Sequence, residues 1–137
     1  MENAILNDDK TLKAKLAAIK KEKKRLTEIC EDFPENKKAL AAGLIENIAF
    51  QRIELKYLRD FLSVNGWTEL FSQSEKQEPY SRIRPEADIF VRTLSLYSKN
   101  IKTLSEIAPK PVKGLTDETD GFESFVESRD RAWFVTL

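Results

Sequence analysis

The sequence predicts an all-α protein in which two long helices form an antiparallel hairpin, preceded by a basic helix and followed by an irregular tail. Apolar residues recur at spacings of three and four over long segments, which is the period of one helix face. Glycine and proline are scarce, with 4 and 5 residues in a chain of 137. The prolines lie at the ends of these segments or between them, which divides the chain into a basic N-terminal helix at 1–33, a helical hairpin at 34–110 and an acidic, aromatic tail at 111–137.

The first helix is predicted for residues 9–33. Asp8 and Asp9 stand where acidic side chains cap a helix and interact favourably with its dipole. The apolar residues form a narrow stripe that follows a coiled-coil repeat, so one neighbouring helix is enough to bury it. The residues of this stripe are Leu12, Leu16, Ile19, Leu26, Cys30 and Phe33.

A second helix is predicted to start at Pro34 or Glu35, because proline cannot extend the preceding turn but fits the first turn of a new helix. It is expected to run to Asn65, where Gly66 can take the left-handed conformation that ends a helix. Its apolar side is broad, which predicts more than one packing neighbour. That side comprises Leu40, Ala41, Leu44, Ile45, Ile48, Ala49, Ile53, Leu55, Leu58 and Leu62.

Residues 66–84 are predicted to form an irregular connection between the two long helices. Its start, with Trp67, Leu70 and Phe71, is amphipathic, and a polar run follows at residues 73–78. Long connections inside a compact domain are commonly functional or mobile.

The third helix is predicted to open at Pro85, the favoured first position for proline, with Glu86 and Asp88 in its first turn. Its apolar residues alternate spacings of four and three without a break, and Pro109 and Pro111 end the pattern. These residues are Phe90, Leu94, Tyr97, Ile101, Leu104 and Ala108.

The second and third helices carry more apolar surface than a single hairpin is expected to bury. We therefore expect hairpins to pack side by side into a closed homo-oligomer. The residues expected at oligomer contacts are Leu44, Ile48, Leu55, Leu58, Leu62, Phe90, Leu94, Tyr97, Ile101 and Leu104.

Charge is unevenly distributed, although the chain as a whole is neutral. Residues 10–25 contain eight lysines or arginines and one acid, Glu22. One interpretation is a solvated helix face, and the other is a surface that contacts DNA phosphates, which gives affinity without base recognition. The candidate DNA-binding residues are Lys13, Lys15, Lys20, Lys21, Lys23, Lys24 and Arg25.

The last residues, 115–137, have the opposite character, with six acids against two arginines. Bulky aromatic residues stand among these acids. The segment either packs back on its own domain or serves as a docking segment, since aromatic anchors supply interface energy. The candidate partner-binding residues are Phe122, Phe125, Trp133 and Phe134.

Little in the sequence points to catalysis, to a metal or to a cofactor. Histidine is absent, and Cys30 lies on an apolar stripe where a small core residue is expected. The pair Glu86 and Asp88 is explained by the helix dipole, and the glycines are too dispersed for a phosphate-binding loop. The single cysteine, the lack of a signal-peptide pattern at the N-terminus and the lack of a long apolar run predict an intracellular protein without membrane spans.

The middle of the chain, residues 40–110, resembles the small terminase subunits of tailed phages and prophages. The resemblance rests on the run 44–50, on Asn65-Gly66 with the following 71–74, on Glu78-Pro79-Tyr80, on the helix start Arg84-Pro85-Glu86 and on the pattern at 97–109. Unlike many members of that family, the chain shows no separate helix-turn-helix ahead of the hairpin. The basic first helix is therefore the candidate for DNA contact.

This resemblance implies a protein of the host cytoplasm that forms a ring, binds viral double-stranded DNA and recruits the large ATPase-nuclease subunit for genome packaging. It implies no enzymatic activity and no cofactor in the small subunit itself. The sequence leaves open a second class of function, a helical scaffold or adaptor protein of a phage or prophage that does not bind nucleic acid.

Overall fold

A computed structural model describes residues 9–112 of the chain, as three helices and one two-stranded antiparallel sheet. The mostly helical fold predicted from the sequence is confirmed. In chain order the elements are α1 (Asp9–Ile29), α2 (Glu35–Asn65), β1 (Thr68–Phe71), β2 (Tyr80–Ile83) and α3 (Pro85–Ile107).

Helix α1 ends at Ile29, four residues earlier than the sequence pattern predicts. Residues 30–33 form a turn in which the amide of Phe33 donates to the carbonyl of Cys30 at 3.1 Å. Proline disfavours the helical conformation of the residue before it, so Pro34 prevents the helix from continuing through Phe33. Cys30 and Phe33 are nevertheless buried, so the turn carries the apolar stripe of α1 into the core.

Helix α2 has the predicted bounds. It begins directly after Pro34, and at its end the amide of Gly66 donates to the carbonyl of Leu62 at 2.8 Å. Gly66 has a φ of 85°, a region that favours glycine because a Cβ is strained there. Its ψ of 170° is extended, because the chain passes straight from the helix towards β1.

The connection between α2 and α3 is a β-hairpin, so the prediction of an irregular segment at 66–84 is wrong. Strands β1 and β2 pair with Thr68 opposite Ile83 and Phe71 opposite Tyr80. The rings of Phe71 and Tyr80 meet edge to face with their centroids 5.9 Å apart. Such aromatic cross-strand pairs are a main source of stability in a sheet.

A charged pair beside the aromatic pair fixes the register of this hairpin. Arg82 lies opposite Glu69 and donates to its carboxylate at 2.9 Å, while its guanidinium stacks 3.4 Å from the ring centroid of Phe71. Arg84 lies 3.6 Å from Glu69 and also donates to the carbonyl of Asn65, at 3.1 Å. These contacts tie the hairpin to the end of α2.

Helix α2 is the central element, and both other helices pack against it. Asn100 of α3 donates to Gln51 at 3.0 Å, whereas Ala87 and Phe90, early in α3, share a cluster with Leu62, late in α2. Residues early in α3 thus lie beside residues late in α2, as expected of two helices that run in opposite directions.

The apolar core has two parts along α2. The first joins all three helices and includes Leu26, Ile48 and Leu104, each 1% exposed or less. The second, towards the β-hairpin, lies between α2 and α3, and includes Phe61 and Phe90. Most of the broad apolar side of α2 is thus divided between α1 and α3, whereas Leu40, also predicted there, is 64% exposed. Among residues 9–112, no helix is long and apolar enough to cross a membrane.

Candidate nucleic-acid interface

Five exposed lysines cover the outward side of α1, and we call them the lysine face: Lys13, Lys20, Lys21, Lys23 and Lys24. Lys13, Lys20 and Lys24 are seven and four residues apart and therefore project from the same side of the helix. Lys21 and Lys23 flank this row. Four of the five border a shallow depression that also contains Ala17, Thr27 and the exposed acid Glu28.

The opposite side of α1 is fixed to the core, which determines where the lysines point. Leu26 is buried between the three helices, and Ile19 and Ile29 pack at the edge of the same cluster. The lysine face is turned away from this cluster and towards solvent. These contacts orient the lysines at 20–24, whereas Leu12 and Leu16 of the predicted stripe are 48% and 57% exposed, so the expectation that a neighbouring helix buries the whole stripe is wrong at its N-terminal end.

Glu22, the acid within the basic run, is directed away from the lysine face. Its side chain is 12% exposed and accepts hydrogen bonds from Arg25 at 2.6 and 3.0 Å. Arg52 of α2 lies 3.6 Å away. The hydrogen bond to Glu22 raises the pKa of the Arg25 guanidinium. Glu22 thus balances two arginines and leaves the lysine face without its charge.

Two of the seven candidate DNA-binding residues are engaged within the chain. Lys15 lies 2.8 Å from Glu54 and 5.2 Å from the ring centroid of Tyr57, both on α2. Arg25 is held by Glu22 as described above. The structure therefore brings the other five together on one surface and directs these two towards the helix interface. The sequence alone could not identify Glu54 as the partner of Lys15, because 39 residues separate the two.

The electrostatics of the described part of the chain favour an anionic partner. The first eight residues carry two acids and the last 25 carry six acids and three bases, so residues 9–112 of this neutral chain carry a net charge of +5. Within residues 9–112, no ion pair involves a lysine of the lysine face. Five lysines beside the single acid Glu28 leave net positive charge on this helix face, which raises the local concentration of anions.

The residues expected at oligomer contacts belong mostly to the core of a single chain. Six of the ten are buried there, and three more are partly buried against the same clusters. The buried six are Ile48, Leu55, Leu58, Leu62, Phe90 and Leu104, and the partly buried three are Leu44, Tyr97 and Ile101. Leu94, at 39% exposed, is the member of the set that faces solvent.

Several apolar side chains outside this set of ten are also exposed. Leu70 and Ile83 project from one face of the β-hairpin at 77% and 67% exposure, and Val64 precedes them at the end of α2. On α3, Val91 stands one turn before Leu94. Exposure alternates along residues 68–71, as is typical of a strand. A run of four residues is too short to identify a strand from the sequence.

The remaining candidate residues divide between the core and the undescribed part of the chain. Cys30 is 3% exposed and faces a cavity of about 290 Å³ between α1 and α2, which is also lined by Ala41 and Ile45. Burial raises the pKa of its thiol, as expected for a core cysteine. The partner-binding candidates Phe122, Phe125, Trp133 and Phe134 lie outside the described residues.

Comparison with protein-family models, with curated proteins and with solved structures finds no match. Among residues 9–112, no group of three or more histidine, cysteine or acidic side chains is placed to hold a metal ion. The resemblance to small terminase subunits therefore stays a prediction. The features of residues 9–112 that bear on function are the lysine face and the exposed apolar surfaces.

Proposed function

We propose that this protein is a small terminase subunit, a non-enzymatic component that binds viral double-stranded DNA as an oligomeric ring. The observation that carries the proposal is the lysine face, with five exposed lysines on one side of α1 while Glu22, the acid within the basic run, is turned away. Lysines arranged in this way bind phosphates through counterion release, independently of base sequence.

The assignment of the contact surface to α1 is supported by the packing of Ile19, Leu26 and Ile29, which hold the part of the helix that carries the lysines at 20–24. A rigid helix presents its charges in a fixed row, which lowers the entropic cost of binding an extended polyanion. In a ring, weak contacts from each subunit would act together on one DNA molecule. Recognition by the assembly therefore requires only modest affinity from a single lysine face.

Assembly into the ring is supported by apolar surface that the single chain leaves exposed. Leu94 and Val91 on α3, and Leu70 and Ile83 on the β-hairpin, are 39–77% exposed. Apolar groups at these positions are suited to contacts between neighbouring copies. We therefore propose that these exposed residues, and not the buried residues of the core, make the contacts between copies.

The proposed role of the assembly is to recruit the large ATPase-nuclease subunit in the host cytoplasm and start genome packaging. The candidate contacts for that partner are Phe122, Phe125, Trp133 and Phe134, which combine aromatic anchors with an acidic segment. No cofactor or metal is required of the small subunit in this role, because the chemistry belongs to its partner.

A comparison of two double variants tests DNA binding through the lysine face. Lys20→Gln with Lys24→Gln should weaken binding to a duplex at low salt, and should reduce the slope of log affinity against log salt by roughly two. Lys99→Gln with Lys102→Gln is the matched control, because these lysines are also exposed but lie on α3. Equal losses in the two variants would contradict the assignment to α1.

The alternative function, a scaffold or adaptor without a nucleic-acid role, predicts a different result. The unmodified protein would then fail to bind duplex DNA even at low salt, while still forming its oligomer. An oligomer that binds DNA with a steep salt dependence would count against the scaffold.

A further inference from the structure

The charges of the chain are separated into two regions of opposite sign. The lysine face has no ion-pair partner within residues 9–112, and residues 115–137 carry six acids and two arginines. Lysines close together on one helix repel each other. An acidic segment that reaches the lysine face would therefore lower the free energy of the protein. Because the whole chain is neutral, the net charge of +5 on residues 9–112 is balanced by the acids of residues 1–8 and 113–137.

The chain leaves the described part of the structure beside α1. Val112 packs against the core cluster that contains Leu26 and Cys30. Residues 109–112 line one cavity together with Ile29 and Phe33, at the C-terminal end of α1. The C-terminal residues 113–137 therefore start next to the helix that carries the lysines.

The distances allow the acids to reach the lysine face. At 1.5 Å per residue, Lys24 lies about 8 Å and Lys13 about 24 Å along the axis from Ile29. The first acid, Asp117, is five residues beyond Val112, a reach of about 17 Å for an extended chain. Asp130, the last of the six, is 18 residues beyond Val112, which gives an extended reach of about 60 Å. Successive acids can therefore pair with successive lysines on the way along α1.

We propose that residues 115–137 bind the lysine face of the same chain and shield it from DNA. This inference deepens the proposed function, and rests on it in so far as the segment and DNA compete for the same lysines. The apparent affinity for DNA is then reduced by the fraction of chains whose face is covered. A partner that captures the aromatic residues of this segment would withdraw its acids and expose the lysines.

The direct test measures the reactivity of individual lysines in the full-length protein. Acetylation by an N-hydroxysuccinimide ester, quantified for each lysine by mass spectrometry, is compared with that of a full-length variant whose six acids are made neutral. That variant carries D117N, E118Q, D120N, E123Q, E127Q and D130N. Lys99 and Lys102, exposed on α3, are the internal controls in both proteins.

In the unmodified protein at low salt, the lysine face should react about two- to tenfold more slowly than in the neutral variant. This range is expected for a weak contact between the acidic segment and the lysine face, which are held at millimolar effective concentration by the chain that joins them. High salt should abolish this difference, because it screens exposed charges. Arg129→Gln with Arg131→Gln, which makes the segment more acidic, should strengthen the protection. Equal reactivity of the lysine face in all three proteins would overturn the proposal.

Mixing tests whether the segment acts within its own chain. Isotopically labelled neutral variant is mixed with unlabelled, unmodified protein, and the labelled lysines should remain unprotected. Protection of the labelled lysines would mean that a neighbouring copy supplies the acids, which overturns binding within one chain.

The DNA measurement separates this inference from the proposed function. The neutral variant should bind duplex DNA tighter than the unmodified protein by about the factor found in the acetylation experiment. Tight DNA binding with no protection of the lysines would refute the inference and leave the proposed function standing. Protection without DNA binding by either protein would refute the proposed function and leave the contact between segment and helix standing.

Discussion

Arg52 of α2 donates a hydrogen bond to the hydroxyl of Tyr97 on α3 across 3.0 Å. The same guanidinium lies 3.6 Å from Glu22 of α1. One side chain of the central helix therefore contacts both helices that pack against it. This link also holds Glu22 on the inner side of α1, away from the lysine face.

Replacing Tyr97 by phenylalanine should destabilise the protein by about 1 kcal/mol, because the ring stays in place while the hydrogen bond to Arg52 is lost. Urea denaturation followed by circular dichroism measures this difference. Tyr80→Phe is the control on an exposed position of β2, and its free energy of unfolding should change by less. An equal loss in both variants would mean that the Arg52 contact contributes nothing.

Leu104 is fully buried where the three helices meet, so Leu104→Ala should cost about 2–5 kcal/mol of stability. Leu96→Ala on the same helix is the matched control. Leu96 is 53% exposed, and its loss should stay within about 0.5 kcal/mol. Thermal or urea unfolding of the two variants compares them directly. Similar destabilisation by the two changes would place the core elsewhere.

Much of the helical framework could be predicted because its boundaries are local. Pro34, Gly66 and Pro85 act on the backbone within one or two residues of their own positions, so the bounds of α2 and the start of α3 follow from them. The β-hairpin could not be predicted in the same way. Its strands are four residues long, and its stability depends on pairs such as Glu69 with Arg82, which form only after the chain has turned.

The basic residues near the candidate site could be predicted from the sequence, but which of them are exposed together on one surface could not. A count of basic residues cannot distinguish Lys15, which is paired with Glu54, from Lys20, which is exposed. That distinction depends on how α1 packs on α2. The same reason explains why apolar residues such as Ile48 and Leu55 were assigned to oligomer contacts, since burial within one chain and burial between chains produce the same sequence pattern.

The thiol of Cys30 gives a pH-dependent prediction. Burial raises its pKa, so the folded state favours the protonated thiol. The resulting contribution to stability is complete below the unfolded pKa of about 8.5, and is lost as pH rises through the higher folded pKa. The difference in unfolding free energy between the unmodified protein and Cys30→Ala should therefore shrink above that pH. A difference that grew with pH would contradict a buried, neutral thiol.

Assembly should depend on exposed apolar residues rather than on the core. Leu94→Asp should shift the oligomer to smaller species while the helical circular dichroism signal is kept, because Leu94 is 39% exposed in the single chain. Ser95→Asp adds the same charge at the next position and should leave the assembly unchanged. Leu55→Asp should instead unfold the chain, since Leu55 is buried and an unpaired charge there is costly. Loss of the folded state in Leu94→Asp would place this residue in the core.

In the proposed function, an oligomer of this chain binds DNA. Size-exclusion chromatography with light scattering, at low salt and tens of micromolar protein, measures both properties in one experiment with and without a short duplex. The expected result is a mass several times that of the 15.8 kDa chain and, with DNA, a single heavier species containing both components. A 15.8 kDa monomer that elutes separately from the duplex would contradict it.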